Sequence, residues 1–392
     1  MRKAKVAVVV LLVAIMTMSF ALTGCSSSRS SGSDSGDGAK SGDAKEDLVF
    51  ITMPTEAEER WIKDGEELQK QIEDAGYKAE LTFAQDKIEQ QNSDIENAIN
   101  KGAKIIIIGA KDGTAVGPAV EKAKEAGITV IAYDRLIMDT DAVDYYVTFQ
   151  LEKVGVLEAS YLIEKLGLED GNKGPFNIEL FTGSPDDNNA KYFFKGAWEL
   201  LQPYFESGVL VSPSGKVTKD FTLDDWQDIA IDSWKMEKAQ AEMESRLAKY
   251  GGGATHLDAV LSPYDGISKG VINAIEGQGL PWTPGTPDWP YITGQDAMTT
   301  ALSDILIDKQ GETVWKDTRV LAKKVAEVSV QILKGESVDA ADTMNNNNID
   351  VPSILLDSQS VTKNGESDAS GTISVKEVVD SGYVTADEVG LK

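Results

Sequence analysis

Apolar strands alternate with amphipathic helices along most of this chain, and that alternation most limits the folds it can adopt. In the first half, strands are predicted at residues 48–53, 79–83, 105–108 and 128–133, with helices at 62–75, 90–101 and 115–126 between them. The unbroken apolar run at 105–108 is typical of a strand covered on both faces. The order strand, helix, strand predicts βαβ units and a parallel sheet.

The second half repeats this pattern. Strands are predicted at 177–181, 259–262 and 291–294, and helices at 190–201, 236–249 and 267–276. The stretch 277–290 contains four prolines and two tryptophans, which predicts a surface loop. A helix at 320–333 and a strand at 351–356 follow it. The sequence therefore predicts two similar α/β lobes.

Composition excludes several classes of function. The 392 residues carry a formal charge of −26, which argues against nucleic acid as a partner. Cys25 is the only cysteine and His256 the only histidine, so an internal disulfide and a histidine-rich metal site are excluded and a Ser-His-Asp relay of the usual kind is disfavoured. We expect no catalytic residues, no metal and no cofactor.

The amino terminus has the features of a secretion signal. Three basic residues lie within the first five, and residues 6–22 are almost wholly apolar. The sequence Leu-Thr-Gly-Cys at 22–25 resembles a bacterial lipobox, which predicts a lipoprotein signal peptide at 1–24 and lipidation of Cys25. The alternative is a signal peptide with an incidental cysteine. Residues 25–46 are mostly Ser, Gly, Asp and Lys and predict a flexible tether.

A carboxylate and a guanidinium follow the predicted strand at 128–133. Ligands of open α/β sheets bind beyond the carboxyl ends of the strands, so Asp134 and Arg135 are candidate contacts of a polar small molecule. Asp accepts hydrogen bonds and Arg donates them in a planar fork, a combination that suits sugar hydroxyls. The alternative is a surface ion pair or a helix cap.

Similar side chains occur near other predicted strands. Arg60 and Trp61 follow the first strand, where they can donate to hydroxyls and cover the C–H face of a pyranose ring. The alternatives are a solvated arginine and a core tryptophan. In the second lobe, Asn188 or Asn189 follows one strand, and either could instead cap the next helix.

Three further candidates are ionisable. Asp265 and Asp296 each come just after a strand, and Lys316 supplies a nearby cation. Each aspartate taken singly is explained better as a helix cap than as a ligand contact. Because several strand ends would bring acid, amide and base groups together, we predict one pocket between the lobes.

Several segments together resemble the ChvE-type multiple-sugar-binding proteins, which belong with the xylose, ribose and arabinose receptors of bacterial ABC importers. They are MPT at 53–55, RWI at 60–62, IAYDRLI at 131–137, GPFNIELF at 174–181, GSPDDNNA at 183–190, LSPYDG at 261–266, GQD at 294–296 and KDTR at 316–319. The resemblance implies a type I periplasmic-binding-protein fold with two Rossmann-like lobes, parallel sheets and a three-segment hinge. It implies a first lobe at 47–150 plus 317–352 and a second at 151–316 plus 353–392.

The resemblance also implies roles in the site. Trp61 and Trp234 would sandwich the sugar, with Trp234 preferred to Trp226 by its spacing to the following helix. Asn189 matches better than Asn188, and the polar contacts would come from the set Arg60, Asp134, Arg135, Asn189, Asp265, Asp296 and Lys316. Tyr264 stands where several relatives have Asn, so it or Asp265 would touch the ligand. Residues 213–232 and Gln150-Leu151 depart from the family pattern near the predicted hinge or rim.

The implied function is capture of a monosaccharide for an ABC permease. We expect a monomer held by a lipid anchor on the extracytoplasmic face of the membrane, which fits a Gram-positive cell surface. A sensory co-receptor for a membrane signalling protein is the alternative. A glycosidase would need a carboxylate pair about 5 to 10 Å apart, a geometry that the sequence leaves open. A sugar-responsive repressor disagrees with the secretion signal.

Overall fold

The computed structural model describes residues 45–251, 255–366 and 371–392. The strands are β1 (Lys45–Met53), β2 (Tyr77–Phe83), β3 (Ile105–Ile108), β4 (Thr129–Tyr133), β5 (Tyr145–Phe149), β6 (Phe176–Leu180), β7 (Leu210–Val211), β8 (Ala259–Leu261), β9 (Tyr291–Ile292), β10 (Thr313–Trp315), β11 (Asp342–Asn345), β12 (Asp350–Leu356), β13 (Gln359–Thr362) and β14 (Ile373–Ser374). The α-helices are α1 (Glu59–Asp74), α2 (Ile88–Asn100), α3 (Gly117–Glu125), α4 (Leu151–Lys165), α5 (Asn189–Glu206), α6 (Met236–Leu247), α7 (Asp265–Gly277), α8 (Thr299–Leu306), α9 (Thr318–Leu333), α10 (Val375–Asp380) and α11 (Ala386–Val389).

The first lobe is built on a seven-stranded sheet in the order β11-β12-β5-β4-β3-β1-β2. All neighbours are parallel except β11 and β12, which form an antiparallel edge. Apolar residues of α1 and α9 pack on one face, and those of α2 and α3 pack on the other. Strand β3 is fully buried because it lies between β1 and β4 under both helical layers. This accounts for its unbroken run of isoleucines.

The second lobe contains a parallel four-stranded sheet, β7-β6-β8-β9, and a three-stranded sheet, β10-β13-β14. A single parallel bridge between Gln295 and Val314 connects the two. Helices α4 and α5 approach so closely that a Cβ on Gly155 would lie 1.8 Å from the carbonyl oxygen of Phe193. Glycine is therefore required at this crossing. The core of this lobe is divided into a large apolar cluster around the four-stranded sheet and a smaller one formed by the three-stranded sheet with α8, α10 and α11.

The chain crosses between the lobes three times, after Phe149, Trp315 and Leu356. The two-lobed α/β architecture is therefore as predicted, but two boundaries differ. The boundary predicted between residues 352 and 353 falls inside β12, whose pairing with β5 continues to Leu356. The predicted tether ends inside β1, which begins at Lys45.

The predicted signal peptide, Cys25 and the rest of the tether lie outside the described residues. Within the described ranges, no helix has the length and apolar character needed to cross a bilayer. The same ranges contain no group of three or more His, Cys, Asp or Glu side chains arranged to hold a metal ion.

Candidate functional site

A cavity lies where the strand-following loops of the two lobes meet. The space between its lining side chains, counting the opening to solvent, is about 310 Å³. The first lobe and the second lobe both line it, and Lys316 reaches it from the second crossing between them. The lining residues are Glu58, Arg60, Trp61, Asp134, Arg135, Asp187, Asn189, Phe193, Trp234, Tyr264, Gln295 and Lys316.

Arg60 is the centre of a buried ion network. Its Nη2 lies 3.0 Å from Asp64 Oδ2 and 3.2 Å from Asp134 Oδ2, and its Nη1 lies 3.6 Å from Asp296 Oδ2. Lys316 Nζ lies 3.0 Å from the other oxygen of Asp296. Burial raises the pKa of Asp134, but three neighbouring cations, Arg60 foremost, outweigh it and hold that pKa below its ordinary value. Asp134 is therefore a charged acceptor fixed at the end of β4.

Arg135 connects the two lobes. Its Nε lies 3.0 Å from Asp187 Oδ2 in the second lobe, and its Nη1 donates to the carbonyl of Ala110 at 3.2 Å. Burial lowers the pKa of Arg135, but Asp187 and other carboxylates raise it by more, so the net pKa lies above its ordinary value. The guanidinium therefore stays charged.

Asn189, and not Asn188, lines the cavity. Its Nδ2 donates to the carbonyl of Asp134 at 2.7 Å, and its Oδ1 accepts from the hydroxyl of Tyr146 at 3.0 Å. These two contacts bring the start of α5 against the first lobe. The preference for Asn189 over Asn188 therefore agrees with the placement of the two side chains.

Aromatic rings form the apolar part of the wall. Trp61 is fully buried, and the guanidinium carbons of Arg60 and Arg135 lie 4.3 and 5.1 Å from its ring centroid. In the second lobe, Trp234 packs against Phe193 and Tyr264 with centroids 6.4 and 5.8 Å apart. The two predicted tryptophans thus line the same cavity from different lobes. Trp226 is buried outside it.

The backbone around the cavity is strained at several positions. Asp134 and Asp296 have φ values of 61° and 91°, and Ser233 and Trp234 have values of 56° and 57°. Non-glycine residues rarely occupy this left-handed region, and those that do cluster at ligand sites. Gly183 makes room for the Trp234 ring, because a Cβ at position 183 would lie 1.9 Å from that ring.

Several buried polar atoms at the cavity have no hydrogen-bond partner within the described part of the chain. Two are donors, Arg60 Nε and Trp234 Nε1, and two are acceptors, Asp134 Oδ1 and Gln295 Oε1. Buried polar atoms in folded proteins are nearly always paired, so an unpaired set around one cavity indicates a ligand site. A ligand that both donates and accepts, as a hydroxyl does, matches this set.

Asp265 lies behind the cavity wall and does not line it. Its Oδ1 accepts from Gln310 Nε2 at 2.8 Å, and its Oδ2 accepts from the backbone N–H of Met298 at 2.8 Å. The preceding residue, Tyr264, lines the cavity instead. The sequence left open whether Tyr264 or Asp265 contacts the ligand, and the structure places Tyr264 in the cavity wall while the carboxylate of Asp265, the first residue of α7, turns back into the second lobe.

Four lining residues were absent from the sequence-based set. Asp187 belongs to the segment 183–190 that the sequence had already indicated, and Phe193 lies one helical turn after Asn189 on α5. Both residues could therefore have been predicted from the sequence. Glu58 and Gln295 each stand next to predicted segments, yet nothing in their spacing separates them from exposed neighbours. Lys316 lines the cavity, whereas Asp296 does not line it and is connected to it through ion pairs with Lys316 and Arg60.

Comparison with known proteins gives consistent matches. The family described as "Periplasmic binding protein domain" matches residues 49–337. The multiple sugar-binding periplasmic receptor ChvE of Rhizobium radiobacter is 42% identical over 88% of this chain and 93% of its own length. The multiple sugar-binding periplasmic protein SbpA of Azospirillum brasilense is 44% identical over 86% and 89%, and the D-xylose-binding periplasmic protein of Escherichia coli strain K12 is 36% identical over 83% and 89%.

Solved structures match over the same part of the chain. A solute-binding protein of an ABC transporter from Clostridium phytofermentans, with bound β-D-glucose, is 40% identical with a TM-score of 0.78, covering 88% of this chain and 100% of that one. A carbohydrate transporter solute-binding protein from Chloroflexus aurantiacus, in complex with D-glucose, is 33% identical with a TM-score of 0.75, covering 88% and 98%.

Proposed function

Because this chain belongs to the periplasmic binding protein family, we propose that it captures a monosaccharide between its two lobes and delivers it to an ABC permease. The proposed ligands are aldoses such as xylose, arabinose, galactose and glucose. Family membership and the relatives confirm the resemblance seen in the sequence, the type I fold, and the prediction of a binding receptor rather than an enzyme. No cofactor is needed for this function.

The observation that carries the proposal is a set of donors and acceptors, unpaired among the described residues, at an aromatic-walled cavity between the lobes. Arg60 Nε, Trp234 Nε1, Asp134 Oδ1 and Gln295 Oε1 are all buried without a partner. Leaving such groups unsatisfied costs about 1–3 kcal/mol each, so a ligand that pairs with them recovers that free energy. Aldose hydroxyls can pair with both kinds, and a pyranose ring offers C–H faces to Trp61 and Trp234.

The mechanism is closure of the lobes around the ligand. Arg60 to Asp296, Arg135 to Asp187 and Asn189 to the carbonyl of Asp134 are contacts between the lobes. A sugar that touches both lobes binds more tightly to the closed form, and this difference in affinity shifts the population toward closure. A capture step with micromolar affinity corresponds to about −8 kcal/mol.

A thermal-shift screen tests the proposal. The purified protein is heated with xylose, arabinose, galactose, glucose, fructose and ribose, because a ligand that binds only the native state raises the melting temperature. We expect stabilisation by one or a few aldoses. If no sugar in this set raises the melting temperature, the proposal is contradicted.

We further propose that the chain is a monomeric lipoprotein on the extracytoplasmic face of the membrane. The support is the lipobox ending at Cys25 and the basic, apolar segment before it. Two or more acyl chains hold a protein stably at a bilayer. Labelled palmitate should enter the wild type but not Cys25→Ser, and the variant should leave the membrane fraction. Light scattering of the purified chain should give the mass of a monomer.

A further inference from the structure

Glu58 lines the cavity but takes no part in its ion pairs. It immediately precedes α1, and its Oε2 accepts a hydrogen bond from Trp61 Nε1 at 3.1 Å. Among the described residues, no lysine or arginine nitrogen lies within 4.0 Å of its carboxylate. In the part of the chain that the structure describes, the only side chain that hydrogen-bonds the Glu58 carboxylate is a neutral indole.

The cations of the cavity are already neutralised by other carboxylates. Arg60 contacts Asp64 and Asp134, Arg135 contacts Asp187, and Lys316 contacts Asp296. Three cations thus face four carboxylates before Glu58 is counted. An anionic ligand would find no free cation and would meet excess negative charge.

The surroundings of Glu58 also oppose its own charge. Burial raises the pKa of the Glu58 carboxyl above its ordinary value, and the positive charges of Arg135 and Arg60 offset this only in part. Asp296 and Asp86 raise that pKa further. A hydroxyl or ammonium group on the ligand would stabilise the Glu58 carboxylate, whereas a ligand carboxylate would destabilise it.

We propose that Glu58 is a specificity-determining residue that sets the charge class of the ligand. It accepts a hydrogen bond from an uncharged sugar or an amino sugar and disfavours sugars that carry a carboxylate or phosphate. This inference rests on the proposed sugar-binding function and deepens it. The effect should appear as a ratio of affinities, because any loss of packing would weaken all sugars alike.

Two matched ligand series test the proposal by calorimetry. D-xylose, D-glucose and D-glucuronate share one ring and differ only in the carbon-5 substituent, which is hydrogen, hydroxymethyl or carboxylate. L-arabinose, D-galactose and D-galacturonate form the equivalent second series. For the wild type we expect the uronate to bind at least about 100-fold more weakly than the best uncharged member of its series, because like charges placed together at an interface are strongly disfavoured.

The decisive variant is Glu58→Gln, which retains an oxygen acceptor for Trp61 Nε1. We expect its ratio of uncharged-sugar to uronate affinity to fall at least about tenfold below the wild-type ratio. The matched control is Glu59→Gln, which removes the same charge one residue away, where the side chain is 51% exposed and paired with Lys63. Its ratio should stay within about twofold of wild type, since exposed charges are screened.

The outcomes separate the two proposals. If uncharged sugars bind and Glu58→Gln leaves the ratio unchanged, or if Glu59→Gln changes it equally, the role of Glu58 is overturned and sugar capture stands. If wild-type protein binds the uronates as tightly as their uncharged counterparts, the charge-class proposal also fails. If no uncharged member of either series binds, sugar capture itself is contradicted, and the Glu58 proposal falls with it. A melting temperature close to wild type for Glu58→Gln shows that the variant is folded.

Discussion

The first lobe presents mainly charged groups to the cavity, whereas the second presents mainly amides and aromatic rings. Arg60, Asp134 and Arg135 come from the first lobe and are held by ion pairs. Asn189, Phe193, Trp234, Tyr264 and Gln295 come from the second. The ion pairs of Arg60 with Asp64 and Asp134 lie within the first lobe and do not depend on closure, so we assign the charged half the orientation of hydroxyls. The aromatic half supplies contact area.

Two buried carboxyl groups, Asp134 in the first lobe and Glu312 in the second, have pKa values shifted in opposite directions. Asp134 in the first lobe has a pKa below its ordinary value because neighbouring cations overcome the effect of burial. Glu312 in the second lobe is fully buried, and burial raises its pKa to about 8. Its Oε1 accepts from Ser360 Oγ at 2.9 Å, while its Oε2 has no hydrogen-bond partner. Asp134 therefore offers a charged carboxylate to the site, whereas Glu312 retains a proton at neutral pH.

The largest effect on binding should come from the charged half. Asp134→Asn preserves shape but removes the charge that pairs with Arg60 and one acceptor at the cavity. We expect sugar affinity to fall about 100-fold, or about 3 kcal/mol, measured by calorimetry. The matched control is Asp139→Asn, which also has a positive φ but is exposed and lies outside the cavity. Equal losses in both variants would remove Asp134 from the site.

A smaller effect is expected from the aromatic half. Trp234→Leu removes an indole face and its Nε1 donor, so affinity should fall about 10- to 30-fold. Trp226→Leu removes an equally buried tryptophan from the same lobe but not from the cavity. Both variants should lose stability, and only the first should lose binding in calorimetry. If Trp226→Leu weakens binding as much, the loss reflects the core of the second lobe and not the cavity wall.

The contact across the rim should matter least for affinity. Lys111 Nζ lies 2.6 Å from Asp186 Oδ2 at the cleft edge, and the side chains are 13% and 22% exposed. Lys111→Met should weaken sugar binding about two- to fivefold, mainly through faster dissociation, and the difference should shrink in high salt. Stopped-flow fluorescence measures this. Lys122→Met, which breaks an exposed pair with Glu96 inside the first lobe, should change nothing. An identical change in both variants would refute the rim contact.

The second-lobe carboxyl should affect stability without affecting binding. Because the folded pKa of Glu312 is raised to about 8, the native state holds a proton that the unfolded chain loses near its ordinary value. Its stabilising contribution is complete below about pH 4.5 and disappears as the pH rises through about 8. The melting temperature of Glu312→Gln should therefore rise relative to that of the wild type as the pH is raised from 5 to 9. Parallel pH profiles would show that Glu312 does not titrate differently on folding.

Much of the fold was predictable because its central strands carry strong local patterns. Strand β3 appears as four consecutive isoleucines, and the helices of the first lobe have one clear apolar face. Helix α4 was missed because nine of its residues are buried and its apolar positions are distributed around the helix, so it has no single apolar face that a pattern could indicate. The strands β10, β13 and β14 are too short and too dependent on distant partners for any local pattern to indicate them.

The candidate site was predictable where a charged residue directly follows a strand, as at Asp134 and Arg135. It was not predictable where the backbone decides which way a side chain points. Tyr264 and Asp265 are neighbours, and only the start of α7 places one in the cavity and the other behind it. Glu58 appears in the sequence as one of several glutamates before α1, and only tertiary packing distinguishes it from Glu59.

Calorimetric titration of xylose, arabinose, galactose and glucose into wild type and Asp134→Asn tests the central claim most directly. A monosaccharide held between a charged lobe and an aromatic lobe predicts micromolar, one-to-one binding of at least one aldose by the wild type, and a loss of about 100-fold in the variant. The absence of heat with every sugar, or equal binding by both proteins, would contradict it.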